Sequence, residues 1–284
     1  MSQEGISTTV RYCNIRDRIL SSVVMLVLVV CMFFGNSAIG IFVVAIAGII
    51  MINEWYVIVH GTNSGIHMLG VSLTSLAHIF VVAATTGFFP VSHCIKVIVF
   101  LMGFSIFFDS IVTKEVRSIL WLIVGKIIIL AGCALFLFAF EGGDTRQFAI
   151  IICVIAVSSD TGGFVGGKLI GGPLLAPKIS PKKTWSGALV GIILSIISGL
   201  MVMHYDTTLD CMYVIMLSFL LSLISQAGDL LESSGKRAFG VKDSGCIIPG
   251  HGGVLDRCDG LLALSVIAIP CMTLMREHFS IFGI

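Results

Sequence analysis

Long apolar runs separated by short polar breaks dominate the chain, and their lengths set the architecture. A helix needs about 20 mostly apolar residues to cross a bilayer core. Such runs occur at Ile19–Phe34, Ala38–Ile52, His67–Phe89, Cys94–Val112, Ser118–Phe140, Gln147–Val165, Trp185–His204, Cys211–Gly228 and Gly260–Met275. In lipid every backbone polar group must be satisfied within the segment, which favours helices. The pattern therefore predicts an all-α polytopic integral membrane protein with about nine transmembrane helices, forming one membrane-embedded domain over residues 1–284. The first two runs are short and separated only by Gly35-Asn36-Ser37. Such a turn-forming triplet fits either a tight hairpin or one long interrupted helix. Residues 1–140 hold the N-terminal spans, and residues 141–284 carry two long polar segments, 166–184 and 229–259.

Composition agrees with this reading. Hydrophobic residues make up 57% of the 284 positions and charged residues only 12%, with a mean hydropathy of +1.06. A soluble domain carries about 25% charged residues, so lipid is the solvent for most of this chain. The net charge of +1 is uninformative, but the placement of charge is not. With a cytoplasmic N-terminus, thirteen of the 17 Lys and Arg fall in cytoplasmic segments: Arg11, Arg16, Arg18, Lys114, Arg117, Lys168, Lys178, Lys182, Lys183, Lys236, Arg237, Lys242 and Arg257. Arg146 and Arg276 fall on the opposite side, and Lys96 and Lys126 just within spans. The positive-inside rule selects that orientation and puts both polar segments on the cytoplasmic face. The arginines before the first apolar run mimic a secretory signal, but the run passes into a second without a small-residue cleavage site, so a retained anchor is expected. The 9 cysteines form no C-x-x-C pair and read as reduced, small apolar side chains.

Candidate chemistry lies in the two polar segments. The stretch from Ser233 to Asp259 gathers Lys236, Arg237, Lys242 and Arg257 with Asp243, Asp256, Asp259 and His251, around Pro249-Gly250 and Gly252-Gly253. Carboxylates that hold a divalent cation, basic groups that neutralise phosphate, and glycines that admit backbone N–H groups together suit a metal–polyphosphate complex. Asp229, in Gln226-Ala227-Gly228-Asp229, stands at the end of an apolar run, where an ionisable group is a functional candidate by default. It lies 27 residues before Asp256, so the ends of two consecutive helices could bring both carboxylates to one cation. The other segment opens at Asp160 and runs to Ser180-Pro181-Lys182-Lys183-Thr184-Trp185. It lacks Walker A spacing, but Ser180, Lys182, Lys183 and Thr184 fall at a helix start, where backbone donors favour phosphate.

The polar stretch resembles the signature of the phosphatidate cytidylyltransferase (CDP-diacylglycerol synthase) family. The matching residues are Ser233, Lys236-Arg237, Lys242-Asp243, Pro249 to Gly253, and Asp256-Arg257-x-Asp259, with Ser-Pro-Lys-Lys-Thr-Trp and Gln-Ala-Gly-Asp upstream. The resemblance is close in the C-terminal half and generic in the N-terminal half. It departs at Gly235, Ser186 and Gly163-Phe164, where the family usually has an aliphatic residue, a glutamate and Ala-Tyr. It implies transfer of CMP from CTP to phosphatidate, giving CDP-diacylglycerol and pyrophosphate, with Mg²⁺ and a second cation as candidate cofactors. By that resemblance Asp229 and Asp256 hold the metal. Lys236, Arg237, Arg257, Asp259 and His251 are the catalytic candidates, with His251 either donating to phosphate or bracing its loop. Asp160, Ser180, Lys182, Lys183, Thr184 and Lys242 would bind the substrate phosphates or support that binding. The implied partners are CTP, phosphatidate, membrane lipid and a second copy of the chain, with no nucleic acid. The implied location is a membrane with the site facing the cytoplasm, the inner membrane if the source is bacterial.

Two rival readings fit this pattern less well. A secondary transporter also has intramembrane carboxylates and glycine-broken helices, but has no need for basic residues gathered around a His-Gly-Gly loop. A CDP-alcohol phosphatidyltransferase needs an Asp-Gly-x-x-Ala-Arg motif, whereas Leu264 follows Asp259-Gly260-Leu261-Leu262-Ala263 here.

Overall fold

A computed structural model describes residues 15–61, 65–113, 115–138, 144–203 and 211–267. Helices α1 (Ile15–Phe34), α2 (Ser37–His60), α3 (Gly65–Thr85), α4 (Val91–Val112), α5 (Val116–Phe138), α6 (Asp144–Leu169), α7 (Trp185–Met203) and α8 (Cys211–Ala238) follow in order. A two-stranded antiparallel hairpin, β1 (Leu174–Ala176) and β2 (Ser180–Thr184), joins α6 to α7. A ninth helix, α9, occupies residues 255–267. Helices α1 to α8 are all long and apolar enough to cross a membrane. The protein is an integral membrane protein of helical class. Of the expected ninth span, Gly260–Met275, residues 268–275 lie outside the described residues, as do Arg11, Lys114, His204 and Arg276.

The first two apolar runs are two helices. Asn36 caps α2 by accepting from the Ala38 amide at 3.0 Å, and only Gly35 and Asn36 separate α2 from α1. Two other boundaries move. Helix α6 continues through Asp160 to Leu169, and α8 continues ten residues beyond Gly228 to Ala238. About half of the expected 229–259 segment is therefore helix, but only the first four residues of 166–184: the true connections are 170–184, holding the hairpin, and 239–254.

Apolar burial drives little helix association in lipid, so packing relies on small residues and interhelical hydrogen bonds. Helices α6 and α7 meet through glycines on this principle. A Cβ on Gly162 would lie 2.7 Å from the Gly191 Cα, and one on Gly191 would lie 2.7 Å from the Ser159 carbonyl. Polar side chains then tie α8 to this pair. Ser159 and Ser222 hydroxyls meet at 3.0 Å, and the Gln226 amide nitrogen donates to the Ala188 carbonyl at 3.2 Å.

The N-terminal helices carry a second polar joint. Lys126 sits near the middle of α5, not at a span end as its place in the sequence suggested, and is only 1% exposed. Its ammonium pairs with Asp109 of α4 and donates to Ser105 at 2.7 Å. Tyr56 of α2 donates to the same carboxylate at 3.1 Å. An ion pair buried this deeply adds little net stability, because desolvation offsets the attraction.

Candidate active site

The polar chemistry is built on the continuation of α8. Asp229, Glu232, Ser233 and Lys236 recur at three- and four-residue spacing, so they share one helix face. Lys236 donates to Glu232 at 3.0 Å and to Asp256 at 2.7 Å, and is only 8% exposed. Arg237, one position on, points elsewhere. Its guanidinium is exposed and donates to the Ile179 and Val241 carbonyls, tying the hairpin to the end of α8. Gly235 lies under two indoles, where a Cβ would come within 2.9 Å of Trp55 and 3.1 Å of Trp121. The departure from an aliphatic residue at this position is thus matched to two large neighbours.

Asp256 organises the Pro-Gly-His-Gly-Gly loop. Its carboxylate accepts from Lys236, from the Ser244 amide at 2.9 Å and from the Gly253 amide at 3.0 Å. Gly252 has φ of +90°, and a Cβ there would lie 2.7 Å from the Asp256 Oδ2. Burial alone would raise the Asp256 carboxyl, but the hydrogen bonds from Lys236, Gly253 and Ser244 win and hold it below the usual carboxylate range. The sequence suggested Asp256 as a metal ligand, and here its oxygens also accept from three protein donors. His251 is likewise engaged. Its Nδ1 lies 2.8 Å from the Ser21 hydroxyl and its Nε2 3.3 Å from that of Ser22, both on α1. Arg257 donates to the His251 carbonyl at 2.9 and 3.1 Å. Of the two roles open for His251, these contacts favour bracing.

Four carboxyl groups from three helices gather beside this loop. Asp160 of α6 has Asp259, Asp229, Lys183 and Arg257 as its electrostatic neighbours. Asp229 pairs with Lys183 of β2 and accepts from Ser233 at 3.4 Å. Asp259 of α9 faces Glu232, and burial, reinforced by the charge of Asp229, pushes its carboxyl above the usual range. One oxygen of Glu232, Oε1, is buried and receives no hydrogen bond. Two carboxyl groups in contact coexist only with a proton or a cation between them. Among the described residues, no three His, Cys, Asp or Glu side chains already close around one point.

The hairpin supplies the facing wall. Thr184 caps α7, its hydroxyl accepting from the Gly187 amide at 3.1 Å, as an N-cap threonine does. Ser186 bonds Thr184 at 3.0 Å and the Gly171 carbonyl, so a hydroxyl serves locally where a glutamate is usual. Ser180 is half-buried at the start of β2. Lys182 and Lys242 are exposed and make no ion pair among the described residues. The fold thus gathers Asp160, Asp229, Asp259, Lys183, Lys236, Arg257 and Asp256, and leaves Lys182 and Lys242 exposed to solvent.

Two acids of this region carried no role in the sequence reading. Glu232 lies within the Asp229 motif, and its spacing from Lys236 marks an ion pair. Glu54 of α2 is 3% exposed and accepts from Val254, Leu255 and Ser244. Its signal was a lone acid inside an apolar run.

Residues 16–275 match the cytidylyltransferase family. The chain belongs to that family. The match covers the N-terminal spans that the resemblance had left generic. Over 136 residues, 47% of this chain and 50% of the relative, it is 46% identical to a phosphatidate cytidylyltransferase of Brucella suis. Over 153 residues, 51% of this chain and 67% of the relative, it is 42% identical to a phosphatidate cytidylyltransferase of Rickettsia prowazekii. The chain spans about half the length of the Brucella relatives it matches. Nothing in these matches supports the transporter alternative.

Proposed function

We propose that the protein transfers CMP from CTP to phosphatidate, forming CDP-diacylglycerol and pyrophosphate. The observation that carries this reading is the convergence of Asp160, Asp229 and Asp259 with Lys183, Lys236 and Arg257 at one end of the helical bundle. In the reaction a phosphate-monoester oxygen of phosphatidate attacks the α-phosphorus of CTP, and the bond from that phosphorus to the β-bridging oxygen breaks. Such a monoester is already largely ionised at neutral pH, so the protein has no need of a strong base. Its task is to bring two polyanions together.

The acidic cluster fits a hard divalent cation such as Mg²⁺. All its donors are carboxylate oxygens, and a cation could take the place of the proton that the Glu232–Asp259 contact otherwise needs. Asp229 and Asp259, with Asp160, would hold the ion, and Glu232 could hold a second. Such a cation would neutralise phosphate oxygens in the transition state. Lys183, now on Asp229, is free to turn to a phosphate once that carboxylate is occupied. Arg257, two of whose five N–H donors already hold the His251 carbonyl, keeps the others for phosphate. Lys182, Lys242, Arg237 and Ser180 line the approach and attract the triphosphate. Asp256 and Lys236 keep the loop in shape.

The basic residues support a cytoplasmic N-terminus and a site open to cytoplasmic CTP and to phosphatidate from lipid. A homodimer accords with the family resemblance. Purified protein in mixed micelles is expected to release pyrophosphate only when CTP, phosphatidate and Mg²⁺ are all present, and to stop on chelation. Solute flux without CTP consumption would oppose this reading.

A further inference from the structure

Helix α9 begins without a side-chain cap of its own, since Val254 stands immediately before its first residue, Leu255. The first N–H groups of a helix lack intrahelical partners and must find them elsewhere. Here the partner comes from 200 residues away. Glu54 Oε1 accepts from the Val254 amide at 3.0 Å, and Oε2 accepts from the Leu255 amide at 2.8 Å and the Ser244 hydroxyl at 3.3 Å. Gly253 lets the chain come this close: a Cβ there would lie 2.7 Å from Oε1. Removing the carboxylate would strand buried donors, and hydrogen bonds to a charged group are the strong kind.

The carboxylate is itself held still. Successive residues on a helix point about 100° apart, and the two after Glu54 lock α2 on two other sides. Trp55 donates its indole N–H to the Trp121 carbonyl at 2.9 Å, and Tyr56 donates to Asp109 in the buried ion-pair cluster. The N-terminal helices therefore fix where α9 starts. That start decides where Arg257 and Asp259, in the first two turns of α9, are directed.

We infer that Glu54 is a positioning residue of the reaction site, acting through the N-terminus of α9 on Arg257 and Asp259. The inference rests on the proposed cytidylyl transfer. Glu54 touches no substrate group, so its loss lowers kcat rather than raising the KM for CTP.

The test uses the full chain with Glu54→Gln, which keeps volume and one acceptor, and Glu54→Ala. Amide hydrogen exchange is followed alongside kinetics. In Glu54→Gln, exchange at Val254 and Leu255 should quicken by about tenfold or more, with α6 and α7 unchanged. The kcat should fall by about tenfold, with the CTP KM within about twofold. Combined with Arg257→Lys the loss should be less than multiplicative, and combined with Lys182→Ala it should multiply in full. Unchanged exchange at residues 254–255, a full multiplicative loss with Arg257→Lys, or exchange rising throughout the protein would each overturn the positioning role. If the wild type fails to consume CTP, the proposed reaction falls. The exchange data still decide whether Glu54 holds α9, so the two failures are told apart.

Discussion

Asp229→Asn is expected to abolish CTP-dependent turnover while leaving the protein folded and membrane-inserted. The side chain is about one-quarter exposed, and its charged partner Lys183 is equally open to solvent. Such pairs contribute little to stability, commonly less than about 1 kcal/mol. Asparagine keeps the size and one acceptor for Ser233 but removes the charge that a divalent cation requires. Loss of one preorganised electrostatic group costs roughly a hundred- to a thousandfold in kcat. The measurement is initial rate in mixed micelles beside the unfolding midpoint of the same sample. Near wild-type turnover would remove Asp229 from the proposed cation site. Asp256→Asn offers the contrast: because Asp256 accepts from Lys236, Ser244 and Gly253, its loss should lower stability together with activity.

Lys236→Met is expected to destabilise the protein by about 3–5 kcal/mol, the range for removing one partner of a buried ion pair. Lys236 is 8% exposed and serves two carboxylates, so methionine would leave Glu232 without its cation and Asp256 with only the Ser244 and Gly253 amides. Activity should fall as a consequence, because the loop that Asp256 organises would lose its anchor. Unfolding in mixed micelles at neutral pH gives the stability change. The sequence suggested a different role, a cation laid on substrate phosphate. If Lys236→Met raised the CTP KM with unchanged stability, that earlier role would stand and the bracing role would fall.

The helical architecture was legible because a spanning helix must be an unbroken apolar run of nearly fixed length, and α1 to α8 all meet that condition. Their polar ends were not legible by the same rule. Helix α8 continues to Ala238 because Glu232 and Lys236 satisfy each other one turn apart and Lys236 reaches Asp256. An apolar count stops at Gly228 and sees none of this. The hairpin of β1 and β2 was missed because strands of three and five residues are too short to show alternation.

For the site, spacing and residue type singled out the loop, Asp229, Asp259 and Lys183, and the fold brings these charges together. What spacing could not divide was bracing from chemistry. Asp256 and Asp259 are three positions apart in one motif, yet one is filled by protein donors and the other faces a carboxyl group. Glu54 and Lys126 have their partners far away in sequence, and only the packed helices bring Val254 and Asp109 to them.

The most direct test of the proposed transfer follows the label from CTP. Purified protein is incubated in phosphatidate micelles with CTP labelled at the α-phosphate and, in parallel, at the γ-phosphate. Attack at the α-phosphorus predicts that α-label enters the lipid fraction in step with pyrophosphate release, while γ-label stays wholly in pyrophosphate. Label from the γ-phosphate in lipid, or α-label that never leaves the aqueous phase, would contradict the account.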